Sequence, residues 1–209
     1  MRFGRLLEIV GDEPVFETGL LLVGGVDAAF VRKQLSLWVR DGRLYRLRRD
    51  LYALAPPYQK GKPHPFVIAN RMMRGSYVSL QSALAYHALI PEYVPVTTSV
   101  TTRERHRWET PLGIFDFRQI KGEVFRGYDI VNLVGRQRAF VAQPEKALLD
   151  LIYLTPGADA PAYLRELRLQ SLDTLDLERL EGEARISQRP KLLRAVSVVA
   201  GLARADRED

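Results

Sequence analysis

The stretch Val26–Leu54, VDAAFVRKQLSLWVRDGRLYRLRRDLYAL, decides the fold of the N-terminal part of this chain. Its first half has the period of an amphipathic helix, with apolar residues on one side and polar residues on the other. Asp27 is a suitable N-cap, and Asp41-Gly42 supplies residue types that tolerate a left-handed backbone at a helix end. The sequence therefore predicts a helix over residues 27–40.

The two sides of this predicted helix differ in chemistry. One side is apolar apart from Gln34 and consists of Phe30, Val31, Leu35, Leu37 and Trp38. The other side, the basic helix face, consists of Arg32, Lys33, Ser36 and Arg40. Arginine reads guanine and lysine finds phosphate when such a helix lies in the major groove of DNA. The basic helix face is therefore a candidate DNA-binding surface.

A short basic hairpin, residues 43–54, is predicted directly after the helix. Residues 43–47 and 51–54 alternate like paired strands around a turn at 48–50. Its cations are Arg43, Arg46, Arg48 and Arg49, which we expect to follow the DNA backbone or the minor groove. A basic helix followed by a cationic hairpin is typical of a winged helix-turn-helix.

The preceding residues complete the order expected of that fold. Leu6, Leu7, Ile9 and Val10 predict a first helix that ends near residues 11–14. Residues 15–23 predict a short second helix with Pro14 at its start, and Gly24-Gly25 supplies the turn into the basic helix.

The positive charge is concentrated in this part of the chain. The net charge of the 209 residues is +6. Residues 32–49 hold seven Arg or Lys against one acid, Asp41, so this segment alone carries a charge equal to the total. A charge confined to one small element is the electrostatic signature of phosphate contact, whereas the competing interpretation is a solvated helix face.

Residues 55–65, APPYQKGKPHP, predict a boundary because four prolines and a glycine cannot continue a helix or a central strand. We predict a winged-helix domain at 1–55, a Pro-rich linker at 56–65 and a second domain at 66–209. That domain begins with helical stretches, becomes strand-like over 94–142 and returns to helix at Pro144, with two or three helices after residue 161. The predicted class is α+β, with a mixed α/β second domain and a helical C-terminus.

Four segments, taken together in order and spacing, resemble the AbiEi antitoxins of type IV toxin–antitoxin systems. They are GRLYRLRRDLYA (42–53), YVSLQSALAYHALIPE (77–92), TPLGIFDF (110–117) and PEKALLDL (144–151). The similarity spans roughly residues 1–155. Asp50 is a departure, because the family usually has glycine in this hairpin turn, and aspartate adopts a positive φ at greater cost.

The resemblance implies a function with two parts. The N-terminal winged helix of the family represses the promoter of its own operon, so the expected partner is double-stranded DNA. The C-terminal domain antagonises a nucleotidyltransferase-like toxin encoded alongside, without requiring a stable complex with it. The resemblance therefore implies an autorepressor and antitoxin. The sequence has no defensible Gly-rich phosphate loop, Ser/His/Asp arrangement or pair of catalytic carboxylates, so we expect no catalytic residues and no cofactor.

A second basic cluster, Arg103, Arg105 and Arg107, lies in the strand-like region. On an extended chain these side chains share one face, which would suit nucleic acid or an acidic patch on a toxin; the alternative is a charged hairpin tip.

Asp116 with Lys121 is a weak nuclease-like pair. Glu145 lies in the first turn of a predicted helix, where a negative charge complements the helix dipole, so we expect it to have a structural role. We expect His87 to be a packed histidine rather than a ligand.

The amino-acid composition limits which kinds of site and which classes of protein remain possible. The absence of cysteine excludes disulfides and Cys-based zinc sites, and the three scattered histidines do not indicate a metal cluster. No apolar run approaches the ~20 residues that span a bilayer, so we expect no membrane partner and a cytoplasmic location. Two other functions stay open: a transcriptional regulator whose second domain senses a ligand, and a nucleic-acid-processing enzyme.

Overall fold

The computed structural model describes residues 1–23 and 25–208, so Gly24 of the predicted turn lies outside the described residues. The helices are α1 (Phe3–Val10), α2 (Ala28–Arg40), α3 (Pro65–Met72), α4 (Leu80–Tyr86), α5 (Pro144–Leu154), α6 (Pro161–Glu166), α7 (Leu177–Ile186) and α8 (Pro190–Glu208). The strands are β1 (Phe16–Glu17), β2 (Leu44–Arg48), β3 (Leu51–Leu54), β4 (Ser76–Val78), β5 (Val96–Thr101), β6 (His106–Thr110), β7 (Gly113–Gln119), β8 (Tyr128–Leu133) and β9 (Gln137–Ala142). The predicted α+β class is confirmed.

The N-terminal unit, residues 1–54, packs α1 and α2 on a small antiparallel sheet of order β1-β3-β2. The prediction of a helix over residues 15–23 is wrong. Phe16 and Glu17 pair with Tyr52 and Leu51 of β3, and Thr18–Leu21 form a 3₁₀ turn. Strand pairing with a segment far along the chain overrides the local apolar pattern, and Gly19 disfavours a longer helix.

The second unit is built on a six-stranded sheet of order β6-β7-β5-β4-β9-β8. The pairs β5/β7 and β4/β9 are parallel, and the other neighbours are antiparallel. Helix α5 begins at Pro144, as predicted, and contacts α4, α7 and α8. The C-terminal region forms three helices, α6 to α8, in agreement with the predicted two or three.

Strand β3 is buried on both faces and joins the two units. Tyr52 and Leu54 belong to the core of the N-terminal unit, whereas Leu51 and Ala53 belong to the larger core that extends through the second unit. Strand β2 also lies against β6. Residues 55–64 contain neither helix nor strand, as expected of the predicted linker. The two units nevertheless share buried contacts, so removing the first would expose apolar surface on the second.

Ion pairs reinforce this junction at the surface. Arg74 on the second unit lies 2.9 Å from Glu17, and Arg71 lies 3.0 Å from Glu13. Exposed pairs of this kind each contribute ~0–1 kcal/mol. The buried contacts of β3 therefore account for more of the junction than these charges do.

One further property concerns membranes. In the part of the chain that the structure describes, no helix combines the length and the apolar character that crossing a bilayer requires.

Candidate nucleic-acid interface

Helix α2 is fixed at both ends and along one side. Asp27 accepts a hydrogen bond from the Ala29 backbone N–H at 2.9 Å, as predicted for an N-cap, and the chain leaves the helix at Gly42 with φ +70°. Val31, Leu35 and Trp38 are buried in the N-terminal core. Burying side chains of this size contributes ~1.5–3 kcal/mol each, so the opposite side of the helix faces solvent.

Phe30 departs from the predicted apolar side. It lies in the first turn of α2 and is 43% exposed. The N-terminal core begins to cover α2 at Val31. Phe30 therefore lies outside the buried side of the helix, although the sequence places it on the apolar side.

All four residues of the basic helix face are exposed. Arg32, Ser36 and Arg40 follow one another at intervals of four residues and therefore form one row along the helix. The Ser36 hydroxyl donates to the Arg32 carbonyl oxygen at 2.9 Å. Lys33 makes no ion pair among the described residues. The row and Lys33 are therefore accessible to a polyanion.

The acids near this row hold its arginines only loosely. The Nε atom of Arg32 lies 3.8 Å from an Asp50 carboxylate oxygen, and the Nε atom of Arg40 lies 3.9 Å from Asp41. Both arginine side chains are more than half exposed. Pairs that are long and solvated contribute little to stability, so exchanging them for phosphate contacts costs little.

The basic hairpin presents two of its four arginines to solvent. Arg46 and Arg49 are exposed, and Arg49 lies 3.6 Å from Asp50. Arg43 is half-buried, with its guanidinium 5.1 Å from the centre of the Phe3 ring. Arg46 and Arg49 are therefore the hairpin residues available to a ligand, while Arg43 helps to pack α1.

Arg48, predicted to contact DNA, is turned toward α3. Its guanidinium donates to the Arg49 carbonyl oxygen at 2.9 Å and approaches the Arg71 carbonyl oxygen at 3.4 Å. Its Nε atom is buried and has no hydrogen-bond partner among the described residues. The cause is a bulge in β2 between Arg46 and Arg48, which puts Leu47 and Arg48 on the side of the second unit. Arg48 therefore lies away from the side on which Arg46 and Arg49 are exposed, and we expect it not to contact DNA.

The hairpin turn adopts the conformation for which glycine is usual. Asp50 has φ +61°. Its carboxylate accepts a hydrogen bond from the Thr18 hydroxyl at 3.1 Å, and its carbonyl oxygen accepts one from the Thr18 backbone N–H at 3.0 Å. These two bonds offset part of the cost of a positive φ and fix the turn against the 3₁₀ segment. Asp50 thus makes a compensating contact through its carboxylate that glycine could not make.

Strand geometry, on which the predicted one-faced row depends, covers only part of the second basic cluster. Only Arg107 lies in β6, whereas Arg103 and Arg105 lie in the irregular segment before it, where strand alternation does not apply. All three are exposed. Because β6 lies against β2, this cluster is next to the basic hairpin. More than fifty residues separate Arg49 from Arg103 in the sequence, and the fold brings the two basic segments together.

Residues 77–79 and helix α5 meet in a buried polar cluster. Tyr77 and Ser79 donate to one oxygen of the Asp150 carboxylate, at 3.0 and 2.8 Å, and the Lys146 ammonium contacts the other oxygen. Burial raises the pKa of Asp150, while the Lys146 ammonium acts in the opposite direction. Burial, and next the Asp150 charge, raise the pKa of the Tyr77 phenol, which therefore remains a donor. The cluster holds β4 to α5.

Among the other residues considered for chemistry, Glu145 and His87 have structural partners. Glu145 is buried and accepts from the Asp176 backbone N–H at 2.9 Å, which ties α5 to the start of α7. The His87 Nε2 atom lies 2.8 Å from the Ala142 carbonyl oxygen, consistent with a packed histidine. Asp116 has Arg118 at 3.7 Å, while Lys121 is exposed after the strand. Among the described residues, no three His, Asp or Glu side chains are grouped to hold a metal ion.

Comparison with models of known protein families and with curated proteins finds no match to this chain.

Proposed function

We propose that residues 1–54 form a winged helix-turn-helix that binds double-stranded DNA, and that the protein regulates transcription. The observation that carries this proposal is the basic row of α2 beside a hairpin whose Arg46 and Arg49 are exposed. The element order α1, β1, 3₁₀ turn, α2, β2, β3, with β3 at the centre of the small sheet, supports this proposal, with the 3₁₀ turn in the place where the second helix was expected. In this arrangement α2 lies in the major groove and the hairpin contacts the adjacent backbone.

The first experiment measures the salt dependence of binding. Arg32, Lys33, Arg40, Arg46 and Arg49 are the five exposed cations of this surface. Each neutralised phosphate adds ~0.9 to the slope of log affinity against log salt, so full contact predicts a slope of about −4 to −5. Fluorescence anisotropy with the full-length protein measures it. We expect tighter binding to DNA from upstream of its own gene than to a scrambled duplex; a slope near zero, or equal affinity for both, would contradict the proposal.

We further propose, on the resemblance to AbiEi antitoxins, that the protein represses its own promoter and counteracts a nucleotidyltransferase-like toxin. Contact with the toxin is not required for this role. The surface we assign to the antitoxin action is the second basic cluster, Arg103, Arg105 and Arg107, because it is exposed on the second unit. Its charge suits either an acidic face of the toxin or a nucleic acid that the toxin uses.

Growth rescue tests this antitoxin role in the full-length chain, because the shared core makes truncation of the first unit disruptive. The toxin and each antitoxin variant are expressed from unrelated promoters. Reversing the charge at Arg103, Arg105 and Arg107 is expected to abolish rescue. Replacing Lys33 and Arg40 by alanine is expected to abolish repression while rescue continues. If the triple reversal is folded by circular dichroism and still rescues growth, the antitoxin surface is not this cluster.

A further inference from the structure

A cavity of about 550 Å³ lies beside the large sheet in the second unit. Its sheet side is formed by β5, β6 and β7, and its walls come from the start of α4, the end of α5, the end of α6 and residues 90–96. Much of the lining is apolar and comes from Leu80, Ile90, Val94, Leu151, Leu154 and Leu167. A cavity of this volume is in the range of sites for small molecules.

Polar side chains from three neighbouring strands meet at the sheet side of this cavity. Asp116 of β7 pairs in register with Thr98 of β5 and with Arg107 of β6, so the three lie side by side on one face. Arg118 lies two residues further along β7 on the same face, with its Nη1 atom 3.7 Å from Asp116 Oδ2. All four line the cavity. The sheet side of the cavity therefore offers an acceptor and two cations within a short distance, and Glu92 and Glu166 add carboxylates elsewhere in the lining.

The Asp116 carboxylate is the unusual member of this group. The residue is 7% exposed, and its Oδ1 atom has no hydrogen-bond partner among the described residues. Buried polar atoms in native proteins are nearly always hydrogen-bonded, and a buried charged oxygen without a donor is unfavourable. A ligand in the cavity that donates to Oδ1 would remove this cost.

The backbone is also strained at the edge of the same cavity. Leu80, the first residue of α4, has φ +53°. Non-glycine residues adopt this conformation at a cost, and such positions concentrate at binding and active sites. This strain is a separate observation from the unpaired Asp116 oxygen, and it lies close by, since Ser79, the residue before Leu80, hydrogen-bonds to Thr98, the neighbour of Asp116 on β5.

We propose that this cavity binds an apolar α-amino acid. Asp116 Oδ1 accepts a hydrogen bond from the ligand's ammonium group. Arg118 binds the ligand's carboxylate, since an ammonium and a carboxylate on one carbon match an acceptor and a guanidinium that are themselves neighbours. The apolar walls cover the side chain. The proposal goes beyond DNA binding and does not depend on it.

Thermal unfolding of the full-length protein with three probes tests this inference. L-leucine, L-phenylalanine and L-tryptophan are added separately at millimolar concentration. At least one is expected to raise the melting temperature, since a ligand at 100 times its Kd stabilises the folded state about 100-fold. Two analogues of L-phenylalanine separate the contacts: 3-phenylpropanoate lacks the ammonium, and 2-phenylethylamine lacks the carboxylate. Both are expected to stabilise the protein far less than the parent amino acid.

Variants then assign the effect to the cavity. Asp116→Asn keeps the shape but removes the charge, so stabilisation by the amino acid should be lost while the unliganded protein melts at the same or a higher temperature. Arg118→Gln should also lose the stabilisation by the amino acid. It therefore provides a second test if Asp116→Asn does not fold. Asp173→Asn, at an exposed acid outside the cavity, is the matched control. The proposal is overturned if none of the three amino acids stabilises the protein, if 3-phenylpropanoate acts as strongly as L-phenylalanine, or if the folded cavity variants keep the full effect.

Discussion

Replacing Lys146 by methionine is expected to lower the free energy of unfolding by about 3–5 kcal/mol, the range for breaking a buried ion pair on one side. Lys146 is 4% exposed and Asp150 is 1% exposed, so water cannot take the place of the lost ammonium. Tyr77 and Ser79 still donate to the carboxylate but do not neutralise its charge. Urea unfolding followed by circular dichroism measures the loss.

The matched control is another pair with the same spacing on an exposed helix. Glu181 and Arg185 of α7 lie 2.7 Å apart, four residues apart in the chain, with side chains 51% and 69% exposed. Arg185→Met should therefore cost only about 0.3–0.5 kcal/mol. Equal losses in the two variants would contradict a special role for the buried cluster.

The pH dependence of the Lys146→Met variant gives a second measurement. Burial raises the pKa of Asp150, and removing Lys146 removes an interaction that lowers it. The pKa in the folded variant is then further above its unfolded value, so the folded state binds this proton more tightly. Stability from such a group is present at pH below the unfolded pKa and is lost as pH rises through the folded pKa. The deficit of the variant should therefore grow from acidic toward neutral pH, and a deficit that is constant with pH would contradict this account.

Local sequence signals predicted the elements that local interactions determine. The length of α2 follows from the Asp27 cap, the apolar period and Gly42, and the start of α5 follows from Pro144. Residues 15–23 could not be assigned in this way, because a two-residue strand exists only through its pairing with β3. A short apolar segment has no period that separates strand from helix.

The buried cluster has a signal in the sequence itself. Lys146 and Asp150 are four residues apart in a helix whose other central residues are alanine, leucine and isoleucine. Opposite charges at that spacing in an apolar helix indicate an internal pair rather than a surface one. The contribution of Tyr77 and Ser79 could not be foreseen, since it depends on how β4 and α5 pack.

Alanine at Arg46 and at Arg48 is expected to affect the protein in different ways, although the two residues are equivalent in the sequence. Arg46→Ala removes an exposed cation beside the basic helix face. It should therefore weaken binding to specific and to scrambled DNA alike and reduce the salt slope by about 0.9. Arg48→Ala removes contacts to the Arg49 and Arg71 carbonyl oxygens. It should lower the melting temperature and leave the salt slope unchanged.

Substitution of Arg40, on the basic helix face, should affect the sequence preference of DNA binding, unlike substitution of Arg46 or Arg48. Arg40 lies in the row that α2 is proposed to present to the major groove, where the loss of one base contact costs about 1–3 kcal/mol, or roughly fivefold to more than a hundredfold in affinity. Arg40→Ala should therefore weaken binding to the preferred DNA more than binding to a scrambled duplex. Anisotropy titrations of Arg40→Ala, Arg46→Ala and Arg48→Ala on both duplexes measure these differences, with Arg185→Ala on α7 as the control for loss of an exposed cation.

The pattern across these variants tests the proposed orientation of the protein on DNA. If Arg48→Ala reduced the salt slope as much as Arg46→Ala, Arg48 would have to leave α3 on binding, and the bulge in β2 would not decide which arginines are available. If Arg40→Ala weakened both duplexes equally, α2 would contact only phosphates. A change in sequence preference from Arg46→Ala but not from Arg40→Ala would place the hairpin, rather than α2, against the base edges.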